Sequence, residues 1–190
     1  VALNGDLAPE QWRVALNGRA SGVNFRTQNP ARIAITSAGY ELLPTTVDLG
    51  RGSRARLSGR YGDDGLIVQS RLDRVNMALL NNAFPDMGLG GHATGSIDFV
   101  QQSANNMPQA DVRLSISDFT RTTAVAVSQP MDVNLVAQLK NDGGDVRAVM
   151  RQRGTVIGRL QALVKPFGGG SNWSERLMAA PLSGGFRYNG

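Results

Sequence analysis

Alternation of apolar and polar residues with a period of two is the feature that most limits the fold of this chain. In 11–17, for example, Trp12, Val14 and Leu16 alternate with polar neighbours. Because successive side chains of a strand point to opposite faces, this spacing predicts a half-buried strand. The pattern recurs in 54–61, 66–73, 96–99, 111–117, 132–140, 145–151 and 156–164, and more weakly in 22–28, 31–37, 46–50 and 183–189. The sequence therefore predicts roughly a dozen strands, each with one apolar and one polar face.

Short turn sequences separate these segments. Gly-Asp-Asp-Gly occupies 62–65 and Asn-Asp-Gly-Gly occupies 141–144, and both are residue types that tolerate the positive φ of hairpin turns. Strands joined this tightly must be antiparallel. The predicted fold class is all-β: an elongated antiparallel sheet with one or two short helices.

Two segments depart from the alternation. Met77, Leu80 and Phe84 recur at helical spacing, which predicts a helix of two to three turns over 75–84, ended by Pro85 and Gly88. A second short helix is predicted over 172–179, capped by Ser171 or Asn172, after a glycine hinge or loop at 168–170.

The inventory of reactive residues argues against an enzyme. The chain has no cysteine and one histidine, His92, so thiol chemistry, Cys-based zinc sites and sites with two imidazoles are excluded. Asp63 with Asp64, and Asp142 with Asp145, lie in glycine-flanked turns and fit no ordered calcium loop. Neither a P-loop nor a Gly-x-Ser-x-Gly sequence occurs. We therefore expect no catalytic residue, no metal and no cofactor.

The charge balance is basic, with a formal net charge of +5. Arg54, Arg56 and Arg60 lie on one face of a predicted strand, a pattern that can bind phosphates. Aromatic residues do not interleave with this stripe as single-stranded nucleic acids require, and aspartates share the polar faces. We expect no nucleic acid as partner. Anionic lipid headgroups or a protein partner remain open for this face.

Four consecutive elements resemble the repeating unit of the TamB family, the AsmA-like envelope proteins of Gram-negative bacteria. They are Ala-Arg-Leu-Ser-Gly-Arg-Tyr-Gly at 55–62, the strand through Leu72, the helix at 75–84, and a stretch that ends in Leu-Gly-Gly-His-Ala-Thr-Gly-Ser-Ile at 89–97. The segments 173–178 and 180–188 look like the start of the same unit again. The resemblance is best over 53–119 and over 153–190. It divides the chain into a repeat segment, 1–167, and a hinge with a further repeat, 168–190.

The resemblance implies a taco-like folded sheet whose apolar lumen shields phospholipid acyl chains between the inner and outer membranes. It also implies a periplasmic location and a role in outer-membrane protein assembly, with an outer-membrane barrel of the TamA type as partner. An inner-membrane anchor is expected in the full-length parent and not in this chain.

The apolar residues of the predicted strands are the candidate lining of such a groove. The candidates are Leu57, Leu66, Val68, Leu72, Ile97, Phe99, Val112, Leu114, Ile116, Val133, Leu135, Val146, Val156 and Leu160. The same residues also suit the closed core of a structural or interaction module. Periodicity alone leaves both alternatives open.

Overall fold

The computed structural model describes residues 1–20, 22–82, 87–103, 106–165 and 172–189. Its strands are β1 (Ala2–Leu7), β2 (Gln11–Ala20), β3 (Val23–Thr27), β4 (Ala31–Thr36), β5 (Gly39–Asp48), β6 (Arg54–Gly62), β7 (Gly65–Asn76), β8 (Leu89–Gln101), β9 (Gln109–Arg121), β10 (Met131–Lys140), β11 (Gly143–Gln152), β12 (Thr155–Val164) and β13 (Leu182–Tyr188). A 3-10 helix spans Met77–Asn82, and the α-helix α1 spans Trp173–Met178.

All thirteen strands belong to one antiparallel sheet, and strands that follow one another in sequence are neighbours in space. The alternation and the turn sequences predicted this all-β meander, and the prediction is confirmed. The hairpin at 62–65 illustrates the local cause. Gly65 has φ +97°, and a Cβ there would meet the carbonyl oxygen of Gln101. A side chain is therefore excluded where β6 turns into β7.

β3 and β4 together occupy one position in the sheet. β2 pairs with β3 through Asn17–Ala20 and with β4 through Gln11–Val14, and β5 also pairs with both. The break between them contains Pro30, which has no N–H to donate to a ladder. The thirteen strands thus form twelve successive positions, and β1 and β13 lie at the two ends.

Register shifts lie at a matching level in β7 and β9. The first lies between Leu72 and Val75 in β7. The second lies in β9, where three residue steps, 117–120 and 116–119, pair with two steps of β8 and two of β10, respectively. A bulge bends its strand and increases the local twist. Three of the four residues of the buried core cluster adjoin this line, namely Ala93, Ile116 and Val133. Bulges at this level therefore favour a local bend beside the core cluster.

The chain buries little for its size. Its accessible surface is 12147 Å², whereas a compact monomer of this mass exposes about 8,800 Å². The buried apolar residues are Ala31, Ala55, Ala93, Met107, Ile116, Val133 and Ala148. In the described ranges no large side chain is completely buried. A single sheet with a thin core accounts for both findings.

The helical predictions had different outcomes. The sheet register of Val75 and Asn76 with β8 continues β7 as far as Asn76. A 3-10 helix of six residues then replaces the longer predicted helix. Asn81 fixes it to β8, since its side chain accepts from the N–H of Leu89 (2.9 Å) and donates to the Leu89 carbonyl (3.0 Å). Residues 83–86 of that prediction lie outside the described residues.

The second predicted helix is present as α1. Asn172 caps it, because its side-chain oxygen accepts the N–H of Glu175 at 3.0 Å. The alternative cap Ser171 and the predicted glycine hinge at 168–170 lie outside the described residues. β13, which follows α1, pairs with β12 and extends the same sheet.

Candidate functional site: the apolar face

The register of the sheet aligns the apolar residues into rows that cross the strands. The central row runs from β5 to β13, and each residue is the cross-strand partner of the next. Its members are Val47, Ala55, Leu72, Gly95, Leu114, Leu135, Ala148, Leu160 and Phe186. Directly paired residues share a face of the sheet, so this row forms one continuous line of apolar side chains.

Three further rows flank the central one on the same face. One row contains Val75, Ala93, Ile116, Val133, Met150, Gly158 and Tyr188. A second contains Thr45, Leu57, Ser70, Ile97, Val112, Ala137, Val146, Ala162 and Gly184. The third crosses all twelve positions through Leu7, Trp12, Ile33, Leu42, Gly59, Val68, Phe99, Ala110, Leu139, Gly144, Val164 and Leu182. We call these four rows together the apolar face.

No residue of the apolar face carries a charge. Two of its three hydroxyl side chains are turned back onto the backbone, where Thr45 donates to the Leu43 carbonyl at 2.8 Å and Ser70 to the Ile97 carbonyl at 2.9 Å. The third, that of Tyr188, is 66% exposed on the last strand of the sheet. With strands about 4.8 Å apart and rows two residues apart, the face measures roughly 50 Å across the strands and 20 Å along them. It is a continuous hydrocarbon-like surface.

Most of the apolar face is only partly covered. Leu57, Leu114, Leu135 and Leu160 are half-buried, in contrast to the buried Ile116. At the two ends of the sheet the exposure is greater: Leu7 is 69% exposed and Leu182 is 72% exposed. Within the described residues, no second layer of secondary structure packs over these side chains. Large exposed apolar surfaces on proteins mark binding sites.

A concavity of about 310 Å³ lies at one end of the apolar face. Ile33, Tyr40, Leu42 and Tyr61 contribute to its lining, together with residues of β6 and β7. Arg60 is the charged residue of this lining, and its guanidinium forms an ion pair with Asp64 at 3.5 Å. The site is therefore apolar inside with one cation at its margin.

The structure places thirteen of the fourteen candidate lining residues on one face. Twelve lie in the four rows, and Leu66 lies beside them as the partner of Tyr61. Val156 is the exception, because a register shift after Met150 pairs it with Arg151. The sequence interpretation missed Val47 and Leu42, where a bulge in β5 interrupts the alternation, and Ile33 of β4, the partner of Leu42.

The opposite face is polar and rich in arginine, and we call it the polar face. Arg71 pairs with Asp98 at 2.9 Å, and Arg113 pairs with Asp111 at 3.0 Å. Hydrogen bonds from Arg113 and then Gln138 hold the pKa of Asp111 below its usual 3.8. Exposed pairs of this kind contribute little to stability. They keep the polar face hydrated and the two faces chemically distinct.

Other kinds of site are scarce in the part of the chain that the structure describes. Within the residues that the structure describes, no group of three or more His, Asp and Glu side chains is arranged to hold a metal ion. Nor does any helix there have the length and apolar character needed to cross a bilayer. The apolar face is the largest candidate site.

Comparison of the chain with protein-family models, with curated proteins and with solved structures finds no match. The fold and the site define the class of protein: a single antiparallel meander with one uncharged apolar face and one arginine-rich polar face. The physical character of these two faces therefore supplies the argument for function.

Proposed function

We propose that this chain is a non-enzymatic segment of a TamB-like periplasmic protein, and that its apolar face shields lipid acyl chains from water. The parent would carry phospholipid between the inner and outer membranes, contribute to outer-membrane protein assembly, or do both. The proposal includes an inner-membrane anchor in the parent and an outer-membrane barrel of the TamA type as partner.

The observation that carries the proposal is the absence of charge from four rows that cross up to twelve strand positions. A binding site for a polar substrate would place hydrogen-bonding groups at defined points on this face. The hydroxyl groups of Thr45 and Ser70 are instead occupied by backbone carbonyls, and the remaining hydroxyl, that of Tyr188, lies on the last strand. Such a surface discriminates by hydrophobicity rather than by shape, which suits a flexible hydrocarbon chain.

The energetics also suit this ligand. Each methylene group removed from water gains about 0.8 kcal/mol, so an acyl chain of some fifteen carbons gains on the order of 12 kcal/mol before opposing costs. Apolar contact is not directional, so a chain can move from row to row with little change in free energy. The charged headgroup stays in water at the open side, and no chemical step is needed.

Packing at the core cluster supports a groove rather than a flat surface. Met77 and Phe119 pack against the cluster around Ile116 and Val133. These contacts also favour the alternative, a structural or interaction module in which the apolar face is a closed core. The two alternatives differ in whether half-buried residues such as Leu135 are reached by a ligand.

Lipid analysis of the purified protein distinguishes them. Native mass spectrometry before and after organic extraction measures bound phospholipid, and a fluorescent fatty acid reports free apolar surface. We expect bound phospholipid and a dye signal that added phospholipid displaces. Lipid-free protein that leaves the dye unbound would refute the groove and favour the closed core.

A further inference from the structure

Four arginines surround a concavity of about 810 Å³ that is distinct from the apolar face. Arg19 and Arg26 come from β2 and β3, whereas Arg51 and Arg54 come from the turn after β5 and the start of β6. The lining contains a single carboxylate, that of Asp48. Three positive charges in the lining are therefore uncompensated. We call this concavity the arginine pocket.

The sheet register explains why these side chains meet. Arg26 is the cross-strand partner of Asp48, which is in turn the partner of Arg54, so all three lie on the polar face. Asp73 on β7 is the partner of Arg54 but forms no ion pair with it among the described residues. The carboxylate that faces Arg54 across the strands is thus not paired with it.

The carboxylate of Asp48 is already engaged. It accepts the N–H of Gly50 at 2.7 Å and forms an ion pair with Arg26 at 3.4 Å. The Gly50 hydrogen bond is the largest cause that lowers the pKa of Asp48; burial opposes it, and Arg26 and then Arg54 add smaller lowering effects. Asp48 therefore holds the turn and one arginine, and it leaves Arg19, Arg51 and Arg54 available.

The turn that carries Arg51 is rigidly built. Gly50, Arg51 and Gly52 all have positive φ, at 74°, 53° and 79°. The N–H of Leu49 donates to the Ser53 carbonyl and the N–H of Ser53 donates to the Gly50 carbonyl, each at 2.9 Å. A non-glycine residue in the left-handed region is uncommon. The backbone thus fixes where the Arg51 side chain starts, at the margin of the pocket.

A second, smaller concavity of about 260 Å³ shares part of its lining with the first. Arg19 and Arg51 line both, and His92 lines the smaller one. The combined space exceeds what a single inorganic ion fills and falls in the range of sites for small organic ligands. Guanidinium groups bind phosphate oxygens through pairs of parallel hydrogen bonds.

We infer that the arginine pocket binds the phosphate group of a phosphorylated organic molecule or lipid headgroup. The inference does not depend on the proposed function, because the site lies on the polar face and needs no acyl chain. A nucleic acid is disfavoured, since the one aromatic residue of the lining, Phe25, packs its ring against Gly18.

The test compares two arginines in the same backbone conformation. Arg51→Gln removes one charge from the arginine pocket, and Arg153→Gln removes one charge from the distant β11–β12 turn. Arg51 and Arg153 have φ of 53° and 52°, and both side chains are exposed. Their substitution changes net charge and backbone strain equally. The double variant Arg19→Gln/Arg51→Gln enlarges the effect.

Isothermal titration at low salt would use pyrophosphate and glycerol 3-phosphate as soluble probes. Co-sedimentation would use vesicles of phosphatidylcholine with and without phosphatidylglycerol. We expect salt-sensitive binding that weakens roughly tenfold in Arg51→Gln and more in the double variant, with unchanged binding in Arg153→Gln. Binding to the soluble probes identifies a free phosphate as sufficient, and binding only to the anionic vesicles identifies a headgroup; both support the inference.

Three results would overturn it. The first is no binding of any of these probes at low salt. The second is equal weakening in Arg51→Gln and Arg153→Gln, which would indicate net charge alone. The third is tighter binding of a single-stranded oligonucleotide than of any phosphate probe. Circular dichroism of each variant confirms that the sheet is intact, and lipid extraction of Arg51→Gln separates this outcome from that of the proposed function.

Discussion

Substitution of Leu135 by aspartate tests whether the apolar face is open. Leu135 lies near the middle of the central row, between its partners Leu114 and Ala148, and it is half-buried. Because the Leu135 side chain is only partly buried, the lost burial amounts to about 1 kcal/mol. The new carboxylate keeps access to water on an open face and adds about another 1 kcal/mol. We expect a total loss of about 2 kcal/mol in unfolding free energy.

Val136→Asp is the matched control on the same strand. Val136 is 44% exposed on the polar face and lies between the cross-strand partners Arg113 and Arg147. A carboxylate there meets two cations, so the unfolding free energy should change by less than about 0.5 kcal/mol. The two variants carry the same new charge, one residue apart, on opposite faces.

Two assays together decide the outcome. Urea unfolding followed by circular dichroism gives the change in stability, and native mass spectrometry gives the bound phospholipid. On an open face Leu135→Asp stays folded and binds lipid at least about tenfold more weakly, since 1.4 kcal/mol corresponds to a factor of ten. A closed core would instead lose more than about 4 kcal/mol. Lipid binding at the wild-type level in folded Leu135→Asp would refute the role of the central row.

Three other perturbations follow from the structure. Gly95 has φ +146°, and a Cβ there would meet the carbonyl oxygen of Arg113; Gly95→Ala should therefore lose about 1–3 kcal/mol in urea unfolding, whereas Gly185→Ala, with open space around its Cβ, should change little. The Arg113 hydrogen bond lowers the pKa of Asp111, so ionised Asp111 contributes its full stabilisation above the unfolded pKa of about 3.9 and loses it as pH falls through the folded value. Thermal unfolding from pH 6 to 2.5 should therefore show a smaller loss of stability in Asp111→Asn than in wild type. Equal losses of stability in the two proteins would contradict this assignment. Asn81→Ala removes both side-chain hydrogen bonds that join the 3-10 helix to β8, and hydrogen exchange should rise at 77–82 while β10 and β11 keep their protection; unchanged exchange there would show that packing alone holds the helix.

The sequence predicted most of the sheet because local alternation of apolar and polar residues directly reflects a strand with one apolar face. It predicted less where a bulge changes the phase. In β5 the register shifts between Leu42 and Thr45, so residues of one face are no longer two apart. β1 was not predicted, although Leu3, Gly5 and Leu7 share a face with their β2 partners. Glycine among the apolar positions weakens the pattern without breaking the strand.

The predicted helix at 75–84 differs from the structure for a related reason. The spacing of Met77 and Leu80 fits one turn of an α-helix and one turn of a 3-10 helix equally well. In addition, β7 extends through Asn76 before that turn begins. Cross-strand pairing with β8 therefore overrides the local spacing.

The two faces differed in how far they could be predicted. Thirteen of the fourteen candidate lining residues share a face in the structure, although their role in lipid binding stays a prediction. The stripe of Arg54, Arg56 and Arg60 hinted at the basic surface, but the arginine pocket itself also needs Arg19 and Arg26. Those residues reach Arg54 only through the pairing of β3 with β5, which periodicity does not encode.

Neighbour-only pairing has a consequence for how the molecule assembles and comes apart. Because every strand outside β2–β5 bonds only to the strands before and after it in sequence, and the pairings within β2–β5 are also short-range, no segment must wait for a distant one in order to join the sheet. Folding of the sheet can begin at any hairpin and spread to neighbouring strands, and unfolding begins at the terminal strands and proceeds inward. Each added hairpin then lengthens the sheet and adds a similar increment of stability. A parent chain could be extended by whole hairpins without any change in the existing strand pairing.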